Sequence, residues 1–217
     1  MPDGETHLTG WMSKSGEMVD GKGTYQIKKL RKALEYCTNY RTAADVGAHV
    51  GLWSMQLMKR FAQVHAFEPV PLHYHCLLQN LTDNDFDDPG GKHSVRTHQF
   101  ALGEKEQRVR IRTAPTSTGD SWVDSVGHMH DIKMRTLDSF DLQDVDFIKI
   151  DCEGYEKFVL MGGEETIKRC RPCIIVEQKP GHAQRFGLGE RDAVAYLLSL
   201  GAVMRAEMSG DFILSFP

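Results

Sequence analysis

Residues 43–51, Ala-Ala-Asp-Val-Gly-Ala-His-Val-Gly, constrain this chain more than any other stretch. A short apolar strand (Ala43, Ala44, Val46) runs into a turn bounded by Gly47 and Gly51. Leu52 to Phe61 then has amphipathic helical spacing, and Val64 to Phe67 reads as a second strand ending on Glu68-Pro69. Strand, glycine turn, helix, strand, acid is the front half of a nucleotide-binding α/β fold. Gly47 allows a tight exit from the strand, and Gly51 allows the helix to pack closely on it. The backbone N–H groups between them are expected to face a ligand.

The dinucleotide pattern G-x-G-x-x-G is absent. Its place is taken by Asp45-x-Gly47-x-x-x-Gly51, with an acid two residues before the first glycine. A carboxylate there repels a phosphate and suits a cationic ligand, such as the ammonium or sulfonium of S-adenosylmethionine (SAM). Glu68, closing the second strand, stands where an acid accepts both ribose hydroxyls. A nicotinamide oxidoreductase is therefore disfavoured, because Asp45 conflicts with a pyrophosphate.

The rest of the chain continues the α/β rhythm. Helices are expected over 24–37, 71–82, from about Tyr155 to Arg169, and over 190–200, each with apolar residues on one face. Strands are expected over 94–102, 145–151, 173–177, 202–208 and 212–216. The last two are joined by Ser209-Gly210-Asp211, a turn that sets strands antiparallel. The fold class is thus a three-layer Rossmann-like sandwich, with a seven-stranded, mostly parallel sheet carrying one antiparallel strand. That is the sheet of the class I SAM-dependent methyltransferases. Residues 1–23 are polar and Gly-rich and read as a flexible entry or lid, leaving 24–217 as a single domain. Residues 104–137 break the rhythm: Val109, Ile111 and Thr113 alternate with Arg108, Arg110 and Arg112, and Ile132 to Leu137 reads as a returning strand. This is a β-hairpin insert over the active-site edge, with a loop around Trp122 between its strands.

In such a sheet ligands lie at the carboxyl ends of the strands, where strand order reverses. The strands ending at Asp45 and Asp151 flank that point, so Asp45, Glu68, Asp151, Glu153 and Glu177 converge on one edge. A hydroxyl acceptor of a methyl group needs a base within hydrogen-bond reach. Asp151, Glu153 and Glu177 are candidates, Lys149 could hold a carboxylate or steer the acceptor, and strand-end acids that only cap the next helix are the alternative. A metal bridging these acids and the hydroxyl is the weaker reading, and no metal site is assigned. His128, His130 and Asp131 lack a convergent third ligand, since two imidazoles on one strand face make a weak site.

Bulk properties exclude several classes. The formal net charge of the 217 residues is −4, so long nucleic acid is a poor partner despite Arg108, Arg110 and Arg112. The five cysteines are scattered, which argues against a disulfide framework, and Cys170-Arg-Pro-Cys173 has no second pair for a zinc ribbon. No segment has a signal-peptide pattern or approaches transmembrane length, so a cytoplasmic protein without membrane contact is expected. The basic residues Lys28, Lys29, Arg31 and Lys32 read as a solvated helix face. The oligomeric state is left open, a homodimer included.

Several motifs come in a familiar order: Asp45 to Gly51, Phe67-Glu68-Pro69, Ala101-Leu102-Gly103, Thr136-Leu137-Asp138, Ile148 to Gly154 and Val176-Glu177. Together they resemble the FkbM family of SAM-dependent O-methyltransferases over roughly residues 42–178. The resemblance implies methyl transfer to a hydroxyl of a sugar, polyketide or similar small molecule. It also implies that the turn Asp45, Gly47, Ala48, His49 and Gly51 holds the methionine end of SAM. Glu68-Pro69 would hold the ribose, and Phe100, Ala101 and Leu102 the adenine. His49 departs from the family, where a small polar residue such as Asn is usual. It could contact the cofactor carboxylate or protrude toward the acceptor. A nucleic-acid methyltransferase, or a SAM-binding protein that transfers nothing, remains the alternative.

Overall fold

A computed structural model describes residues 8, 10, 18, 19, 22–84, 94–113, 121–124 and 130–217. A short strand pair, β1 (Met18–Val19) and β2 (Lys22–Gly23), precedes α1 (Ile27–Leu34). Then come β3 (Thr42–Val46), α2 (Leu52–Leu57), β4 (Gln63–Phe67), α3 (Pro71–Asp83) and β5 (Ser94–His98). The strands β6 (Ala101–Leu102), β7 (Gln107–Thr113), β8 (Ser121–Asp124) and β9 (His130–Arg135) follow. The chain returns through β10 (Val145–Ile150), α4 (Glu156–Met161), α5 (Glu164–Cys170), β11 (Cys173–Glu177), α6 (Asp192–Ser199), β12 (Val203–Met208) and β13 (Asp211–Ser215).

The main sheet has the order β12-β13-β11-β10-β3-β4-β5. Strand β13 runs antiparallel to both neighbours, and the other pairs are parallel. Every residue of β3, β10 and β11 is buried, as expected where helices cover both faces. The two-residue period divides them. Ala44, Val46, Ile148, Ile150, Ile174 and Val176 pack with Val159, Leu160, Ile167, Val194 and Leu197 from α4, α5 and α6. Ala43, Phe147 and Ile175 pack with Ile27, Leu30 and Leu34 of α1 and with Trp53 and Leu57 of α2. Those are the three layers expected from the sequence. The chain progresses outward in opposite directions from β3 and β10, so the reversal point lies between them.

Three expectations are corrected. The strand expected over 94–102 is broken at Gln99 and Phe100: β5 stays in the main sheet, whereas β6 pairs with β9 in a second sheet. That switch buries both Ala101 and Leu102. The expected hairpin insert is larger, a four-stranded sheet of order β6-β9-β7-β8, because the polar stretch around Trp122 contributes a strand of its own. The helix expected to run to Arg169 is two helices. At Gly162 an added Cβ would lie 1.9 Å from the carbonyl oxygen of Gly103, so the chain needs glycine there and the helix breaks.

Cys170 and Cys173 are free thiols at the end of α5 and the start of β11. On α1, Lys29 bonds Asp211 and Lys32 bonds Glu35, so two of its cations are paired within the protein. His128 and the side chain of His130 lie outside the described residues, while Asp131 pairs with Arg108. Most of residues 1–23 also lie outside them. No helix among the described residues is long and apolar enough to cross a membrane.

Candidate active site at the strand reversal

The glycine turn is built by close approach. Gly47 has φ +76°, and a Cβ on it would lie 1.9 Å from the carbonyl oxygen of Asp151. The amide of Asp151 in turn donates to the carbonyl of Val46 (3.1 Å), so the ends of β3 and β10 clasp each other. Gly51 has φ +88°, and its missing Cβ makes room for Leu77 of α3, so the close packing it permits is against a helix rather than the strand.

The turn's donors are not aimed at a ligand as the sequence suggested. The N–H groups of Gly47 and Ala48 both donate to the carbonyl of Phe67 (3.0 and 2.9 Å), and that of Gly51 donates to Ala48. The N–H of His49 donates to Oε2 of Glu68 (2.8 Å), and that of Val70 donates to Oε1 (2.9 Å). Glu68 therefore knits the turn to the end of β4. A carboxylate offers about four acceptor positions, so these two bonds do not exhaust Glu68, which lines the cleft with Nδ1 of His73 3.6 Å from its Oε1.

Asp45 is fully buried behind the turn and does not line the cleft. Its Oδ2 accepts from Ser54 (2.6 Å), and its Oδ1 lies 3.4 Å from Nζ of Lys149. The cation that answers Asp45 is thus a lysine of the protein. Lys149 donates to the carbonyl of Gly47 (2.7 Å) and also lies 3.9 Å from Asp151. Burial alone lowers its pKa, but the Asp45 and Asp151 carboxylates override that and hold it above its ordinary value. Lys149, expected to hold a carboxylate or steer the acceptor, lies buried between the Asp45 and Asp151 carboxylates and also lines the cleft.

Asp151, Glu153 and Glu177 each place a carboxylate oxygen within 4.8 Å of the others. Lys179 stands among them, 2.7 Å from Glu177 and 3.3 Å from Glu153, and Nδ1 of His182 lies 2.7 Å from Glu153. The environments push two of the acids apart. Burial and the neighbouring Asp151 charge raise Glu177 well above the carboxylate range. Burial works to raise Asp151 as well, but Lys149, a hydrogen bond from Glu177, Lys179 and Lys29 hold it below its ordinary value. The pair is pushed in opposite directions, Glu177 toward the neutral acid and Asp151 toward the carboxylate. Groups separated in this way are acid–base candidates. Glu153 sits at φ +53°, which for a non-glycine residue stores on the order of 1–3 kcal/mol. The turn is fixed by Gly154, whose Cβ would lie 2.5 Å from His182, and by Glu156, which accepts the amides of Cys152 and Gly154 (3.0 and 2.9 Å).

These groups share one cleft enclosing about 1170 Å³ of space, open solvent at its mouth included. Gly47, Ala48, His49, Glu68, Pro69, Phe100, Ala101, Leu102, Lys149, Asp151 and Glu153 line it, whereas Asp45, Gly51 and Glu177 do not. His49, at φ +51°, sits edge-on to His73 with ring centroids 4.4 Å apart. Burial and His73 push its pKa down to about 4, so the imidazole is neutral at physiological pH. Its Nε2 has no hydrogen-bond partner among the described residues.

The sequence reading missed Tyr25, Lys179 and Glu156. Tyr25 comes from the N-terminal segment to line the cleft, and burial and Asp151 push its hydroxyl up to about 12. Lys179 could have been found, as it follows Glu177 by two residues at the same strand end. Nothing in the sequence marks Tyr25.

The chain matches the family model of the methyltransferase FkbM domain over residues 45–213. Among solved structures it is similar to a methyltransferase FkbM from Methylobacillus flagellatus, with 22% identity and a TM-score of 0.57, over 82% of this chain. It spans only 44% of the length of that protein. The Streptococcus mutans protein SMU.1697c, solved with S-adenosylhomocysteine (SAH), gives 10% identity and a TM-score of 0.54, over 91% of this chain and 98% of its own. Precorrin-6y C5,15-methyltransferase from Geobacter metallireducens gives 12% and 0.50, over 94% and 95%. At these identities the likenesses show the fold. No curated protein sequence gives a significant match.

Proposed function

The chain belongs to the FkbM methyltransferase domain family, and from that premise we propose that it transfers the methyl group of SAM to a hydroxyl of a small molecule or sugar. The observation that carries the hydroxyl assignment is the Asp151–Glu177 pair. It keeps one carboxylate ionised on the cleft wall at the strand reversal, where a proton must be taken from the acceptor.

The residues present fit the cofactor. Glu68 has lone pairs left for a ribose diol, Phe67, Phe100, Ala101 and Leu102 offer apolar walls for an adenine, and Asp151 gives the sulfonium, whose charge SAH lacks, a carboxylate. Bound there, SAM supplies an electrophilic methyl on a positively charged sulfur. The protein's own work is positional. The Lys149 clamp fixes the turn against β10, so the Asp151 carboxylate faces the cleft in one arrangement. Asp151 takes the hydroxyl proton and becomes neutral, then passes the proton to water, which restores the carboxylate that the Glu177 hydrogen bond stabilises. Holding acceptor and methyl about 3–3.5 Å apart in line accounts for most of the remaining acceleration.

The test is calorimetric titration of SAH into the wild type and Glu68→Gln. One site per chain is expected, weakened roughly 10- to 100-fold by the substitution, the worth of a charge-assisted hydrogen bond pair. Equal affinity in both proteins, or tighter binding of a nicotinamide dinucleotide, would remove the cofactor assignment.

A further inference from the structure

A second groove opens beside the cleft, enclosing about 1070 Å³ with its open mouth included, between the second sheet and the turn Ala183–Phe186. Arg108, Arg110 and Arg185 line it, and among the described residues no carboxylate does. Its floor is apolar, formed by Val109, Val123 and Phe186. Trp122, on the edge strand β8, holds two guanidiniums near its ring, with Arg185 at 4.8 Å and Arg112 at 6.0 Å from the centroid. Arg108 is balanced by Asp131 (2.7 Å), whereas Arg185 is exposed and has no ion pair among the described residues. The groove and the cleft share two wall residues, Val123 and Tyr155. Tyr155 lies four residues beyond Asp151 and packs edge-on against Phe186 (5.1 Å).

We propose that this groove binds an anionic group, a carboxylate or a phosphate, on the same acceptor whose hydroxyl reaches Asp151. The inference rests on the methyl-transfer reading above and names the acceptor's chemical class. Guanidinium forks match both anions in two-point geometry. An arginine stacked on an indole is pre-oriented, with its N–H edge still free to donate, and the apolar floor strengthens the attraction by keeping water away. Because Val123 and Tyr155 wall both the groove and the cleft, one acceptor can lie across the two. A small acceptor is favoured over RNA. The chain is net negative and two of the three lining arginines, Arg108 and Arg110, already have partners within the protein, whereas nucleic-acid affinity comes from many neutralised phosphates.

The test measures binding to the SAH-loaded chain with two matched pairs of probes. The pairs are 4-hydroxybenzoate against its methyl ester, and glucose 6-phosphate against glucose. Each is titrated into wild type, Arg185→Gln and Arg110→Gln. At least one anionic probe is expected to bind about tenfold tighter than its neutral partner, with the preference lost in Arg185→Gln while SAH affinity is unchanged. The pair that shows the preference tells carboxylate from phosphate. Equal binding of charged and neutral probes, binding of neither, or an anion preference untouched by both substitutions overturns the proposal. So does arginine-dependent binding of an RNA oligonucleotide without binding of either small anion. An Arg185-dependent anion preference in a chain that takes up no SAH would support the groove assignment and overturn the methyl-transfer reading alone.

Discussion

Asp151→Asn is expected to lower kcat roughly 100- to 10,000-fold on whichever acceptor the wild type turns over best, the usual worth of a positioned general base. The affinity for SAH should change less than about tenfold, because the amide keeps the shape of the carboxylate and removes only its charge and basicity. The expectation follows from the separation of the two acids. Burial and the neighbouring Asp151 favour the protonated form of Glu177, and Glu177 does not line the cleft. Glu153 already faces Lys179 and His182. Asp151 is held below the ordinary carboxylate range where Glu177 is pushed above it, and Asp151 lines the cleft. Steady-state kinetics beside SAH titration checks this. Full turnover in Asp151→Asn would be incompatible with the assignment, and a larger loss in Glu153→Gln would transfer the role.

Lys149→Met has the largest expected effect on stability, about 3–5 kcal/mol, because it strands the fully buried Asp45 carboxylate without its cation. At about 2–4 °C per kcal/mol for a chain of this size, the melting temperature should fall roughly 6–20 °C. The partner is specific, so the double variant Asp45→Asn/Lys149→Met should recover part of the loss. In a double-mutant cycle the two changes should depart from additivity by at least about 1 kcal/mol. Thermal unfolding of the four proteins measures this. If Lys149→Met melts like the wild type while turnover collapses, Lys149 is a catalytic cation and not a clamp.

The contrast between those two residues shows what the sequence could carry. Lys149 and Asp151 alternate on one strand, so periodicity placed both on the same face. It could not show that one lies deep, under the turn, and the other at the rim, since depth depends on how closely β3 and β10 approach. That approach is set by the absent Cβ of Gly47 against the Asp151 carbonyl. Asp45 was misread for the same reason: its acidity was legible, but the cation answering it comes from a residue 104 positions away by number (149 − 45). The main sheet was legible because β3, β10 and β11 are short, mostly apolar runs, interrupted by few polar residues (Thr42, Asp45, Asp146, Lys149), with turn residues at their ends. The second sheet was not, because β8 is a four-residue strand whose pairing with β7 comes from register and not from its own pattern. Glu156 could be read as the start of a helix. Its other task, accepting two amides of the loop that carries Glu153, appears only once the chain has turned.

The most direct test of methyl transfer at this cleft is incubation of the protein with SAM labelled in its methyl group and a panel of hydroxylated small molecules, sugars and RNA. The expected result is label on an oxygen of a small acceptor, with one SAH released per methyl transferred and the signal abolished in Asp151→Asn. Label on nucleic acid, label on nitrogen, or tight SAM binding with no transfer to any acceptor would contradict it.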